Sequence, residues 1–502
     1  MQRQVELTRT THIRIVAPVL ILSLACGNGG DLGGPVTPGS VHVTTVTDGE
    51  MQDPNGYTLV VDGTAAGPVG SNADTTLSAL PPGSHALALA DVAGNCTVEA
   101  PDPRSILIQS AGTAEVVFAV VCTEPRPAAA CIAPQVTNAS QWAAAIAGNI
   151  GRSGDTIWVK GGSYPGASVI RATDRVIRAC PGERVTLGNL VVFGSGITIW
   201  GFEVAGPPGS GTLGIDTYGV GSKLINNVVH DAGHSGIGLW WNTQGGEAYG
   251  NIVYNNGTTD NLDHGIYFNN RQGTMRLIDN IVFNNWAYGI HGFSTTPGEL
   301  TGLVLDGNVT FGGHGIGAFN SSDVLIGGVS VPTLSVTNHR SYKPDGYTSV
   351  DLGYVSGSAK NGSVTVSGTF VGAPGLQLNR WSSVTQTGAT NISYAGKPTS
   401  GTEVFVRPNQ YEKGKAYVTV YNWGNAASVP ADLSGVLAAG QSYEVRSVCD
   451  LWGAPTASGT YQGESVEIPM ASHPAPAPLG RSAKRPPPDC GGVFDAFVVV
   501  GK

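Results

Sequence analysis

Hydrophobic positions in the middle of the chain come in short alternating runs, tied to two landmarks that recur in fixed order between residues 131 and 385. A Gly-Ile dipeptide stands at Gly214-Ile215, Gly236-Ile237, Gly265-Ile266, Gly289-Ile290 and Gly315-Ile316, at intervals of 22, 29, 24 and 26 residues. An asparagine followed by a β-branched residue stands at Asn227-Val228, Asn251-Ile252, Asn280-Ile281 and Asn308-Val309, with His230, Tyr254, Phe283 and Phe311 two positions further on. Intervals so short and so rich in glycine suit one turn of a β-solenoid and are too short for helical repeats. Alternation along a strand then assigns directions. The isoleucines are expected to point inward. Outward come a first column of Asp216, Gly238, Tyr267, His291 and Gly317, and a second of Tyr218, Trp240, Asn269, Phe293 and Phe319. The glycines before the isoleucines should also be exposed, leaving beside the aromatics a trough open to a sugar ring. Outer aromatics packed under loops are the plainer alternative. In the Asn-led strand, the β-branched residue and the aromatic share a parity, so both are expected inside the coil as stacked ladders, with the four asparagines hydrogen-bonded along the stack. His230 belongs to that ladder, as a satisfied core histidine rather than a catalytic one. Residues 138–150, with Trp142, Ala145, Ile146 and Ile150, predict one short amphipathic helix that caps the open end of the solenoid.

On either side of the solenoid the period changes to two. Residues 41–123 alternate as Val41-His42-Val43-Thr44, Thr58-Leu59-Val60-Val61 and Glu115-Val116-Val117-Phe118, with turn signals between the runs, which predicts an antiparallel sandwich. This segment resembles the small immunoglobulin-like or carboxypeptidase-regulatory-like modules of bacterial surface proteins and reads as a spacer or binding module. Residues 390–502 alternate again, in Val404-Phe405-Val406, Ala416-Tyr417-Val418-Thr419-Val420 and Phe497-Val498-Val499-Val500. They predict a terminal β-sandwich that resembles the accessory domain of many secreted carbohydrate-active enzymes. Residues 125–130 look like a linker.

Composition and charge narrow the class. Of 502 residues, 72 are Gly and 31 Pro, which makes a mainly helical protein improbable. A formal charge of −9 makes nucleic acid a poor partner. Residues 1–26 read as an export signal, with Arg3, Arg9 and Arg14 ahead of an apolar run from Ile15 to Leu24 that is too short to span a bilayer. The run ends Leu22-Ser23-Leu24-Ala25-Cys26, which resembles the lipobox of bacterial lipoproteins. That resemblance implies acylation of Cys26, a flexible Gly/Pro-rich tether over 27–40 and display from the bacterial cell envelope. Ordinary secretion, with Cys26 left in a discarded signal, is the alternative. The other six cysteines fall in sequence-local pairs, Cys96 with Cys122, Cys131 with Cys180 and Cys449 with Cys490, as expected of disulfides in an oxidising compartment. None has the spacing of a zinc site. A monomer is expected.

The candidate chemistry sits on the outward columns. Tyr267 and His291 fall on adjacent rungs, His264 and His314 stand at the bends just before their glycines, and Asp263 precedes His264. A tyrosine, histidines and a carboxylate converging on two or three rungs suit proton abstraction beside a uronate carboxyl and proton return to the leaving oxygen. Trp240, Asn269 and Phe293 would hold sugar rings, Arg271 or Arg276 would neutralise the carboxylate, and Asp216 lies two rungs below Tyr267. Asp260 and Asp263 could hold Ca²⁺, although no calcium-loop spacing is recognisable and no other cofactor is indicated. The opening coil, Gly154-Asp155-Thr156-Ile157-Trp158-Val159-Lys160-Gly161-Gly162, and the string Asp263-His264-Gly265-Ile266-Tyr267 resemble right-handed parallel β-helix carbohydrate enzymes, among them C5-epimerases and polysaccharide lyases. The resemblance covers roughly 131–385 and implies an all-β chain: a right-handed parallel β-helix flanked by an N-terminal immunoglobulin-like sandwich and a C-terminal sandwich. The Asp-Pro-His signature of the epimerases is missing. Gly313-His314-Gly315 matches one piece of the polygalacturonase motif, but the paired aspartates do not appear. Three readings remain open: a lyase on a uronate-containing polysaccharide, a glycoside hydrolase using two of Asp216, Asp231, Glu247 and Asp263, and a non-catalytic glycan-binding lipoprotein. The lyase leads.

Overall fold

Each coil turns where a residue can take a left-handed backbone. Asn226, Gly250, Asp279 and Gly307 occupy equivalent corners with φ of 53°, 62°, 52° and 63°, and each precedes one asparagine of the landmark series. Gly, Asn and Asp are the residues that tolerate this conformation, which explains their recurrence. The computed structural model describes residues 37–49, 56–90, 92, 96–122, 131, 133–166, 168–206, 211–258, 262–312, 322–480, 482 and 490–502. Cys26 and most of its tether, Asp260, His314, Gly315-Ile316, Gly317, Phe319 and the 125–130 linker lie outside the described residues.

The coils stack as a parallel β-helix. Its first face is a nine-stranded parallel sheet from Ser168–Ile170 to Leu376–Leu378, in which Ile215, Ile237, Ile266 and Ile290 pair in one register. The expectation of stacked Gly-Ile strands holds over these four coils. The rung after Ile290, however, is Val324. Val324 is thus the next described rung, and there the outward columns continue through Leu325 and Gly327. Two further columns of strands form the remaining faces and merge in the long strands Thr333–Tyr342, Asn361–Gly372 and Trp381–Ser393. The helix Ala139–Ile146 closes the first coil, with its first turn capped by the Asn138 side chain. Its Trp142 is buried against Tyr164 and Phe202 and donates to Ser168 Oγ at 2.9 Å.

The asparagine ladder forms as expected. Asn227, Asn251 and Asn280 each donate from Nδ2 to the Oδ1 of the next, ending on Asn308, at 3.0, 2.9 and 2.9 Å. Asn280 also donates to Ala248 O and accepts from Asn251 N, all fully buried. Replacing Asn280 by Ala would leave these backbone groups unsatisfied and should cost about 2–4 kcal/mol in chemical denaturation. Asn308→Ala, at the end of the ladder, should cost less.

The aromatic ladder forms too, but on the other side of the wall. His230 stacks on Tyr254 at 5.0 Å, Tyr254 on Phe283 at 5.0 Å and Phe283 on Phe311 at 4.8 Å. The residues between, Val229, Val253 and Val282, are the ones that pack inside the coil with the isoleucines. Ile252, Tyr254, Ile281, Phe283, Val309 and Phe311 point outward and are covered by Tyr417, Tyr421, Phe494 and Val498 of the C-terminal domain. That domain pairs Glu403–Pro408, Lys415–Tyr421, Phe494–Gly501, Ser442–Ser447 and Ala457–Thr460 in an antiparallel sheet, with a two-stranded sheet closing a second core. Arg407 reaches from it to Asp279 and Asp306 at the corner of the coils.

Residues 39–122 form two four-stranded sheets around Val41, Val43, Leu59, Leu87 and Phe118, with the first and last strands parallel. All three expected disulfides are present. No helix among the described residues is long and apolar enough to cross a membrane.

Candidate functional site

Glycine decides which side chains reach the surface of the first face. Gly214, Gly236, Gly265 and Gly289 are buried, contrary to the exposed positions expected, because a Cβ on them would come within 2.6, 2.6, 2.5 and 2.9 Å of neighbouring atoms. The chain bends there, alternation is interrupted, and the residue two before each inward isoleucine or valine turns out of the coil. Leu213, Ser235, His264, Tyr288, Ser322 and Thr348 thereby form a third outward column beside the two expected.

These columns border an open cleft of about 940 Å³, whose lining includes His234, Trp240, His264, Tyr267, Asn269, Tyr288, His291, Phe293, Glu299, Asp351 and Tyr354. At its centre four rings meet. The centroids of His264 and His291 are 4.3 Å apart, Tyr288 and His291 4.3 Å, Tyr267 and His291 5.6 Å, and His264 and Tyr267 5.7 Å. His291 Nδ1 and His264 Nε2 are 2.9 Å apart, so one of them carries the proton they share. His264 Nδ1 has no hydrogen-bond partner among the described residues. Burial holds His291 down at about 3 and His264 well below the usual imidazole range, the latter with help from His291 and His234. Both are neutral at neutral pH. Tyr267 is raised by burial and by Glu299, keeps its proton, and donates to Phe293 O at 2.7 Å. Tyr288 is raised by burial, Asp351 and Tyr354.

Of the predicted site residues, Tyr267, His291, His264, Trp240, Asn269 and Phe293 all line this cleft. Asp263 is fully buried behind it, accepting from Thr258 N at 2.6 Å, with His234 Nε2 3.4 Å from its other oxygen. Asp216 is outside the lining and accepts from Trp240 Nε1, fixing that indole. Arg271 is not a free cation: its guanidinium pairs with Glu299 and lies 3.8 Å from the centroid of Trp241. Arg276 is on another face, in register with Glu247 and Val304. Asp231 and Glu247 are also elsewhere, the first bound to His230 and Leu479 N, the second to Tyr411 and Lys223.

The outer aromatics do not offer an open floor. Phe193, Tyr218 and Trp240 stack on one another at 5.1 and 6.1 Å with planes 15° and 10° apart, so their faces are largely occupied by each other. Trp240 meets Tyr267 at a tilt of 50° where the stack opens into the cleft. Tyr288, Glu299, His234, Asp351 and Tyr354 are not among the residues expected from the sequence. Tyr288 carries a signal there, since it stands two before Ile290 as His264 does before Ile266. Glu299 comes from a loop with no periodicity.

Residues 153–331 match the family described as right handed beta helix region. The coil is a right-handed parallel β-helix. A comparison with curated proteins finds no match. Among solved structures, the chain is similar to a pectate lyase at 17% identity, covering 50% of this chain and 72% of that one, with a TM-score of 0.32. It is similar to a double mutant of the tailspike protein of E. coli bacteriophage HK620 at 12% identity, covering 71% and 72%, with a TM-score of 0.24. It is also similar to a tailspike protein of Pseudomonas phage LKA1 at 14% identity, covering 93% and 81%, with a TM-score of 0.25.

Proposed function

We propose that the cleft binds a polysaccharide and that the chain is a lyase acting on a uronate-containing glycan. The observation that carries this is the meeting of a neutral histidine pair and a protonated tyrosine on adjacent rungs of an open cleft, while the two carboxylates of the lining are already engaged. Glu299 is held by Arg271 and Ser294, and Asp351 accepts from Asn379. Proton transfer then falls to the rings. Abstraction of the proton beside the uronate carboxyl at His291 Nε2 requires the tautomer in which His291 Nδ1 donates to His264 Nε2, so His264 orients the base and shares its developing charge. A bound carboxylate raises the basicity of His291 from its depressed value. Tyr267 exchanges its bond to Phe293 O for one to the leaving oxygen and protonates it. Asn269, whose buried Oδ1 has no partner among the described residues, would meet the sugar with its amide.

A second reading is favoured by one observation: among the described residues the lining holds two carboxylates and no Lys or Arg. On that reading the cleft holds a neutral glycan without chemistry. Incubation with uronate and neutral polysaccharides, following unsaturated uronate by absorbance together with reducing ends, separates the two. Both signals should rise on a uronan. Reducing ends without unsaturation would mean hydrolysis, and binding without either would mean a lectin-like role. Display from a membrane through Cys26 belongs to the same proposal and is checked by mass spectrometry of the mature N-terminus, where an unmodified terminus beyond Cys26 would exclude it.

A further inference from the structure

A second crevice, of about 770 Å³, lies between the early coils and the C-terminal domain. Its electrostatics are opposite to those of the whole chain. Among the described residues the lining holds the six cations Arg178, Arg184, Lys413, Lys415, Arg446 and Lys502 against four glutamates, although the formal charge of the chain is −9. Two of those glutamates are each shared between two cationic partners. Glu412 pairs with Arg178 at 2.9 Å and Lys415 at 3.2 Å, and Glu444 with Arg446 at 2.9 Å and with Lys502, while Glu203 pairs with Arg184 and meets His230, itself held by Asp231. One carboxylate cannot neutralise two cations, so the walls keep a positive excess in a site partly screened from water.

The same crevice contains an aromatic that burial does not explain. Trp452 is 48% exposed, and the Arg184 guanidinium stands 4.3 Å from its ring centroid. Trp200, deeper in, is covered by Arg178 at 3.6 Å and donates from Nε1 to Glu412 at 2.9 Å. A half-exposed indole offers an apolar face for the C–H side of a sugar ring, and the guanidinium beside it, whose Nε and Nη2 are held by Glu203, turns its Nη1 edge to a carboxylate on that ring. A small inorganic anion would use the cations and leave the indole idle.

We infer that this crevice is a second binding site, selective for acidic oligosaccharides, with Trp452 and Arg184 as its recognition pair. Its choice of ligand agrees with the uronate reading of the cleft, but the site stands on its own residues and on another part of the molecule. It supplies positive charge that the described residues of the cleft lining do not. A polymer held here raises the local concentration of chain at the cleft without a new contact there.

The test is native affinity electrophoresis of the full chain in gels holding polygalacturonate, alginate, hyaluronan or the neutral polymer hydroxyethyl cellulose, with turnover of a soluble uronate trisaccharide measured in parallel. The wild type should be retarded by at least one acidic polymer and not by the neutral one. Trp452→Ala should weaken that retention at least threefold, Trp452→Phe should keep most of it, and both should turn over the trisaccharide as the wild type does. The inference is overturned if the wild type is retarded by no acidic polymer, if the neutral polymer retards it equally, or if Trp452→Ala is retained as strongly as the wild type. Loss of the lyase signal in Tyr267→Phe with retention unchanged speaks to the cleft alone, so the two assignments fail separately.

Discussion

Tyr267→Phe should lower turnover of a uronate polymer by about 10² or more and leave folding near wild type. The ring is what packs: it contacts His264, His291 and Trp240, and Phe keeps those contacts. Only the hydroxyl and its bond to Phe293 O are lost. His291→Ala should reduce turnover by a similar factor, whereas His264→Gln, which keeps a polar group near His291 Nδ1, should reduce it less and shift the pH profile. Trp240→Ala should act mainly on the Michaelis constant, because the indole lies at the mouth of the stack and not among the reacting groups. Initial rates by absorbance of unsaturated product, with thermal midpoints as the folding control, decide this. Full activity in both Tyr267→Phe and His291→Ala would remove the assignment and turn attention to Glu299 and Asp351.

Arg407→Met should destabilise the union of coil and C-terminal domain by about 3–5 kcal/mol at pH 7. Asp279 and Asp306 are 2% and 0% exposed, and Arg407 is bound to both. Without it two carboxylates are left buried side by side. Burial raises Asp279 to about 6, with Arg407 opposing the shift and Asp306 adding to it. Because this folded-state value lies above the ordinary one of 3.8, the stability Asp279 contributes is fully present below that ordinary value and is lost as pH rises through about 6. The deficit of Arg407→Met should therefore be smaller at pH 5 than at pH 7 in urea unfolding. Equal deficits at the two pH values would show that Asp279 does not titrate there.

The parts of the fold legible from sequence were those with one consistent physical demand. The inward isoleucines and the asparagine ladder each need one residue type per coil, so spacing alone located them. The parity of the Asn-led strand was not legible. In Ile252-Val253-Tyr254 every residue is apolar, because one side faces the coil and the other faces a second domain, and alternation carries no signal when both faces are buried. Period alone places Gly265 at the surface, because it does not distinguish a bend from a strand. The same bend is what brings His264 into the cleft. Residues arriving from loops, Glu299 above all, had no period to betray them.

The outward aromatic ladder also imposes an order of events on synthesis. Its cover is a sheet in which Phe494–Gly501 is an interior strand, paired on one side with Lys415–Tyr421 and on the other with Ser442–Ser447. That sheet cannot close until Phe494–Gly501 has been made. At ribosomal rates of roughly 5–20 residues per second, the stripe from Tyr254 to Phe311 would wait on the order of 10–40 s for its lid after its own coils are complete. During that interval the nascent chain presents a column of stacked rings to whatever is nearby. Cover for that column during synthesis, such as a chaperone that recognises apolar surface, is then an expectation that follows from this architecture alone.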